Sequence, residues 1–164
     1  MGASGDTATT EADASTYLAQ VKVRRAGGPV KIVRLPGEAD EVTMGSHPAL
    51  APHIGADPEL APSASTLDYV VGAAAACLAG TFARALGARG IALAPNDHDA
   101  AAEGVLRKRS QVLVIERIVV THRVRLDIEH HAEARRVHDF YHRGCPVSQS
   151  IGAAVDIQSN REFS

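Results

Sequence analysis

From Leu67 to Arg89 the sequence reads LDYVVGAAAACLAGTFARALGAR, and no charge falls between Asp68 and Arg84. Leu67, Val70, Val71, Ala74, Cys77, Leu78, Phe82, Ala85 and Leu86 recur at the three- and four-residue spacing of an amphipathic helix. Ser65 followed three residues later by Asp68 is a capping-box start, and Gly90 is a stop. Its first four turns carry no charge after Asp68, and the run Gly72 to Ala76 is almost entirely small. A helix that is small or apolar all round must be covered on most sides, with neighbouring backbones close to it. The rest of the chain has to wrap this helix.

The flanking segments read as strands and a second helical region. Tyr17, Ala19, Val21 and Val23 alternate with Gln20, Lys22 and Arg24, the period-2 pattern of a strand. The turn Ala26-Gly27-Gly28-Pro29 then leads to a second strand, Val30 to Leu35, which completes a hairpin. Glu41 to Met44 is a third short strand, and the proline-rich stretch Gly45 to Ser65 is loop with a helical turn around Ala49 to His53. Ile91 to Gly104 shows little pattern, and Arg107-Lys108-Arg109 reads as a solvated turn. Gln111 to Ile128, rich in Val and Ile, gives one long strand or two consecutive ones. His130 to Arg143 is read as one helix stopped by Gly144, with Ala134, Val137, Phe140 and Tyr141 inward. A short helix follows from Cys145-Pro146 to about Ala153, then a closing strand at Val155 to Ile157. This order is α+β, not alternating βαβ. Residues 1–16 read as a flexible tail and 17–164 as a single domain.

Composition narrows the function classes. Lys and Arg number 17 against 19 Asp and Glu, so the chain exerts no overall pull on nucleic acid or anionic lipid. No apolar run reaches the roughly 20 residues of a membrane span, and the N-terminus lacks the basic and apolar regions of a secretory signal. We therefore expect a cytoplasmic protein with neither a nucleic-acid nor a membrane partner.

The two cysteines, Cys77 and Cys145, lie 68 positions apart. They are too few for a disulfide framework and wrongly spaced for a Cys-x-x-Cys zinc or redox motif. Cys77 lies on the apolar stripe of the long helix, where a thiol often serves as a small hydrophobe. Cys145 precedes a proline. Pro146 at the first helical position makes Cys145 an N-cap, where the positive end of the helix dipole favours thiolate.

The segment from Thr66 to Thr81 resembles the first cysteine helix of the osmotically inducible protein C / organic hydroperoxide resistance (OsmC/Ohr) family. His142-Arg143-Gly144-Cys145-Pro146-Val147-Ser148-Gln149-Ser150 resembles its second cysteine box, and Val155 to Ile157 its closing strand. Gly45 to His53 is similar to a loop of one branch of the family. The resemblance implies the OsmC-like fold: a β-hairpin or meander, a long buried cysteine helix, a second β segment, a second helix and a closing strand. It also implies an intertwined homodimer with its active site at the subunit interface. The implied activity is reduction of organic hydroperoxides. Cys77 attacks the peroxide and becomes a sulfenic acid, and Cys145 resolves it as a Cys77–Cys145 disulfide. Dihydrolipoamide or another dithiol then reduces that bridge. No metal or cofactor is implied, since two thiols suffice for this reversible oxidation.

One departure stands out. The family places a Glu ten residues before the first cysteine, bonded to an activating Arg, whereas this chain has Leu67 there. Asp68 is adjacent but points about 180° from Cys77 at 100° per residue, and reads more simply as a cap for the helix dipole. Arg25 shares the apolar face of the first strand if alternation persists, and is the candidate activating cation; its plainer reading is a solvated hairpin arginine.

His47 and His53 flank the proline-rich loop, and His122, His130, His131, His138 and His142 gather around the last long strand and helix. His138 and His142 have the i, i+4 spacing of helical metal ligands, without a general base between them. Surface histidines are the simpler reading. The alternative to a peroxidase is a non-catalytic dimeric module of the same fold that senses redox state or binds an apolar ligand, a reading that Leu67 favours.

Overall fold

A computed structural model describes residues 16–55, 57, 59 and 63–164. The expected tail therefore lies outside the described residues, apart from Thr16.

The described residues form two three-stranded sheets and four α-helices, the α+β class expected. Strands β1 (Lys22–Gly27), β2 (Val30–Arg34) and β3 (Val42–Met44) make an antiparallel meander in that order. β1 starts at Lys22, so Tyr17 to Val21, read as strand from their alternation, precede it. Every residue of β1 is exposed, so alternation there does not mark a buried face. The short helix α1 (Ala51–Ile54) follows.

Helix α2 (Thr66–Gly87) is the long helix the sequence demanded. Ser65 Oγ accepts from the Asp68 amide, and the Asp68 carboxylate accepts from the Ser65 amide at 2.7 Å. Gly90, at φ +76°, ends it in the left-handed conformation that glycine adopts without strain. By length and hydropathy α2 could cross a membrane, which corrects the expectation that no segment reaches that length. In this fold it instead lies across the second sheet.

That sheet has the order β4 (His98–Arg109), β5 (Val112–Val124), β6 (Asp156–Phe163). β4 pairs antiparallel with β5, and β6 pairs parallel to it. β4 spans the later half of the weakly patterned Ile91 to Gly104 stretch and runs on to Arg109, so Arg107-Lys108-Arg109 ends a strand and is not a turn. Arg107 Nε meets Glu116 at 2.8 Å and Arg109 comes within 3.6 Å of the same carboxylate. Ile118, Val120, His122 and Val124 of β5 alternate onto the buried face. They pack against Leu78, Phe82 and Leu86 of α2, with Ala134, Val137 and Tyr141 closing the core. Each fully buried side chain of this size contributes about 1.5–3 kcal/mol.

A parallel pair needs a crossover. The one from β5 to β6 holds α3 (His131–His138), a 3-10 turn at Tyr141–Gly144 and α4 (Pro146–Ile151). The single helix expected over His130 to Arg143 is thus broken after His138. Phe140 is about a third exposed and does not join the core as expected. β6 runs on to Phe163, well past the Ile157 expected for the closing strand.

Candidate functional site

Cys77 and Cys145 meet where the crossover returns across α2. Cys77 sits in the fourth turn of α2, half-buried; Cys145 is wholly buried at the N-cap of α4, with Pro146 as first helical residue. Gly144 lies against Thr81 of α2, and Arg84 Nη2 reaches the Gly144 carbonyl at 3.5 Å. This seating sets Cys145 Sγ 3.2 Å from Cys77 Sγ. Both thiols are free, and Cys145 donates to Cys77 across that gap. Closure of a disulfide from this distance needs about 1.2 Å of approach, since S–S is about 2.03–2.05 Å.

The surroundings of the two sulfurs differ in sign. Burial pushes the Cys77 thiol up, and the neighbouring Cys145 adds to that rise against the Val147 amide and the Thr81 hydroxyl. Thr81 Oγ1 also donates to the Cys77 carbonyl at 2.8 Å. At Cys145 burial likewise opposes ionisation, but the Ser148 hydroxyl and amide, the Cys77 thiol and the Val147 amide outweigh it and hold the thiol below its ordinary value. Ser148 Oγ is buried and makes no hydrogen bond to the described residues, so its effect on Cys145 is one of proximity to the thiolate. The more acidic thiol is therefore the less accessible one.

The other candidates fall elsewhere. Asp68 is committed to the cap of α2, accepting from both the amide and the hydroxyl of Ser65 at 2.7 Å. Arg25 is exposed on β1, across the ladder from Lys31, and none of the described hydrogen bonds or ion pairs joins it to a sulfur. Arg84 is the guanidinium that reaches the backbone beside Cys145. Sequence reasoning passed over it, although its position seven residues after Cys77 places it on the same helical face.

The histidine spacing is also resolved. His138 ends α3 and His142 lies in the following 3-10 turn, so the i, i+4 helical face does not form. Among the described residues no group of three metal-ligating side chains is arranged to hold a metal ion. His47 accepts from the Ala49 amide at 3.2 Å, and with His53, Leu50, Arg107 and Lys108 it borders an open groove. A second groove of about 590 Å³ runs between α2 and β4, lined by Val71, Ala75, Ala76, Ala102, Leu106 and His98.

A family model described as OsmC-like protein matches residues 59–160. The chain belongs to the OsmC-like family. No curated protein matches the sequence. Among solved structures, an organic hydroperoxide resistance protein OsmC from Legionella pneumophila superposes with a TM-score of 0.68 at 16% identity, covering 89% of this chain and 97% of that one. The organic hydroperoxide resistance protein OhrB of Bacillus subtilis gives 0.64 at 18% identity, with 89% and 98% covered. An OsmC-like protein from Mycoplasma pneumoniae gives 0.66 at 12%, with 92% and 99% covered. At these identities the likeness concerns the OsmC-like fold.

Proposed function

We propose that this OsmC-like protein is a thiol-dependent peroxidase for organic hydroperoxides, acting as a homodimer. The observation that carries the reading is the 3.2 Å separation of two free thiols brought together from 68 positions apart. In the first step Cys145, the more acidic thiol, ionises and takes the Cys77 proton across the 3.2 Å gap, so that Cys77, the accessible sulfur, attacks as thiolate while Cys145 Sγ–H donates to it. The sulfur bonds to the terminal peroxide oxygen, the O–O bond breaks, and the departing alkoxide takes a proton to leave as an alcohol. In the second step Cys145 thiolate attacks the Cys77 sulfenic acid, forming the S–S bond and releasing the oxygen as water. A dithiol of the dihydrolipoamide class then reduces the bridge by two thiol–disulfide exchanges, leaving as its own cyclic disulfide. The groove lined by Thr81, Ala85, Ala88 and Phe140, on the same face of α2 as Cys77, supplies apolar surface for an alkyl chain, worth about 0.8 kcal/mol per buried methylene.

The test is turnover of cumene or tert-butyl hydroperoxide with dihydrolipoamide, against hydrogen peroxide as the polar comparison. Faster consumption of the alkyl peroxides is expected. Cys77→Ser should abolish turnover, because a serine hydroxyl stays protonated where a thiol ionises. Cys145→Ser should oxidise once per subunit and stall as a sulfenic acid that dimedone traps. Full activity of Cys77→Ser would overturn the reading.

Leu67 in place of the family's carboxylate, together with the same apolar groove, favours a second reading: a dimeric redox-sensing or apolar-ligand-binding module without turnover. Wild-type protein that forms the disulfide yet consumes no hydroperoxide with any dithiol would select it.

A further inference from the structure

Six side chains outside the thiol pair form one continuous hydrogen-bonded path through the core. Arg161 Nη1 lies 2.8 Å from His138 Nδ1, and His138 Nε2 lies 2.9 Å from Ser159 Oγ. Ser159 Oγ is 2.7 Å from the Tyr141 hydroxyl, which is 2.7 Å from His122 Nε2; His122 Nδ1 is 2.9 Å from His98 Nε2. The residues come from β6, α3, the 3-10 turn, β5 and β4. Phe82 of α2 packs among them, its ring centroid 4.9 Å from Tyr141 and 5.1 Å from His122.

A guanidinium can only donate, and that sets the sense of the path. His138 accepts at Nδ1, so its proton sits on Nε2 and is donated to Ser159. With every buried proton satisfied, Ser159 donates to Tyr141, Tyr141 to His122, and His122 to His98. All three imidazoles are then neutral. Burial favours that state by pushing all three below the ordinary histidine range, His122 to about 3.

Tyr141 is the member that bears on the thiols. It opens the 3-10 turn whose last residue is Gly144, and the Cys145 amide closes that turn on the His142 carbonyl at 3.1 Å. The turn thus has two seats. At its end Gly144 lies against Thr81 and Arg84 of α2; at its start the Tyr141 hydroxyl is fixed to β5 through His122 and to β6 through Ser159. We propose that Tyr141, clamped by His122 and Ser159, is a positioning residue that sets Cys145 at bonding distance from Cys77. This rests on the reading of the two cysteines as a disulfide-forming pair, and not on turnover of a peroxide.

The experiment measures the equilibrium between the dithiol and its intramolecular disulfide against reduced and oxidised glutathione. Tyr141→Phe removes one oxygen and keeps the ring on Phe82. The expected result is a fall of tenfold or more in the equilibrium constant for closure, about 30 mV toward easier reduction. Ser159→Ala removes the same clamp from the other side, and supplies the measurement if Tyr141→Phe fails to fold. His131→Asn is the comparison: His131 Nε2 meets the Leu126 carbonyl at 3.1 Å, outside the path, and its loss should lower stability without moving the potential. A wild-type potential in both clamp variants, or an equal shift in His131→Asn, overturns the proposal alone. A wild-type chain that forms no internal disulfide overturns it together with the dithiol reading.

Discussion

Gly104 on β4 lies so close to Val71 on α2 that a Cβ at the glycine would come within 2.6 Å of Val71 Cγ2. The contact brings the strand backbone directly onto the helix and fixes the depth of the groove between them. A β-branched side chain in a helix has one strongly preferred rotamer, so Val71 cannot swing aside cheaply. Gly104→Ala should therefore cost about 1–3 kcal/mol of stability, the range for an overpacked core. Urea denaturation measures it, and Val71→Ala in the same chain should recover part of the loss.

α2 leaves Tyr69, Val70, Gly72, Ala73, Ala76 and Gly80 exposed, and all of β1 is exposed as well. In the homodimer proposed above these surfaces are covered, with more than roughly 2,000 Å² buried in total. Light scattering should show a dimer at micromolar concentration. Ala73→Glu should shift the equilibrium toward monomer by placing an unpaired charge in that contact.

The Ser148 hydroxyl and amide lie where they favour the Cys145 thiolate over the thiol. Ser148→Ala removes the hydroxyl, so the Cys145 thiol should titrate higher than in the parent. The comparison is cleanest in a Cys77→Ser background, where a single thiol remains. Thiolate absorbance and the pH dependence of alkylation both read the shift, and an unchanged curve would remove Ser148 from the site.

His122 gives the fold an acid-sensitive element. Its pKa is lowered to about 3, by burial first and then by His98 and His138, against about 6.5 in an unfolded chain. The groups facing it are His98 from β4, Tyr141 and His138 from the crossover and Phe82 from α2. Because the unfolded state binds the proton first, stability falls as pH drops below about 6.5. The slope from this one group approaches about 1.4 kcal/mol per pH unit until the folded pKa is reached. Urea midpoints between pH 7.5 and 5 should fall in the parent and fall less in His122→Asn.

Several of these features are plain in the sequence. The long uncharged helix, its Ser65–Asp68 cap, the Gly90 stop and the Cys145-Pro146 helix start are local matters of periodicity, capping and backbone freedom. The third strand and the α+β order follow from similar local signals, and the two cysteine boxes suffice to suggest the family. β4 was not legible, because Ala100, Ala101 and Ala102 have little strand preference of their own; pairing with β5 makes them a strand. The break after His138 is likewise a tertiary choice, since a continuous helix would not have seated Gly144 on α2.

What the sequence determined by itself is therefore the set of parts: a helix that must be covered, a thiol inside it, and a second thiol at a helix mouth. Tertiary structure alone decided what each part faces. It placed Cys145 on Cys77, kept Asp68 as a cap, left Arg25 on an exposed strand and joined His98, His122 and His138 into one path through Tyr141 and Ser159. The physical reason is range. Propensity and capping act within a turn or two of chain, whereas a parallel β5–β6 pair forces a crossover whose return path is fixed only by packing on α2.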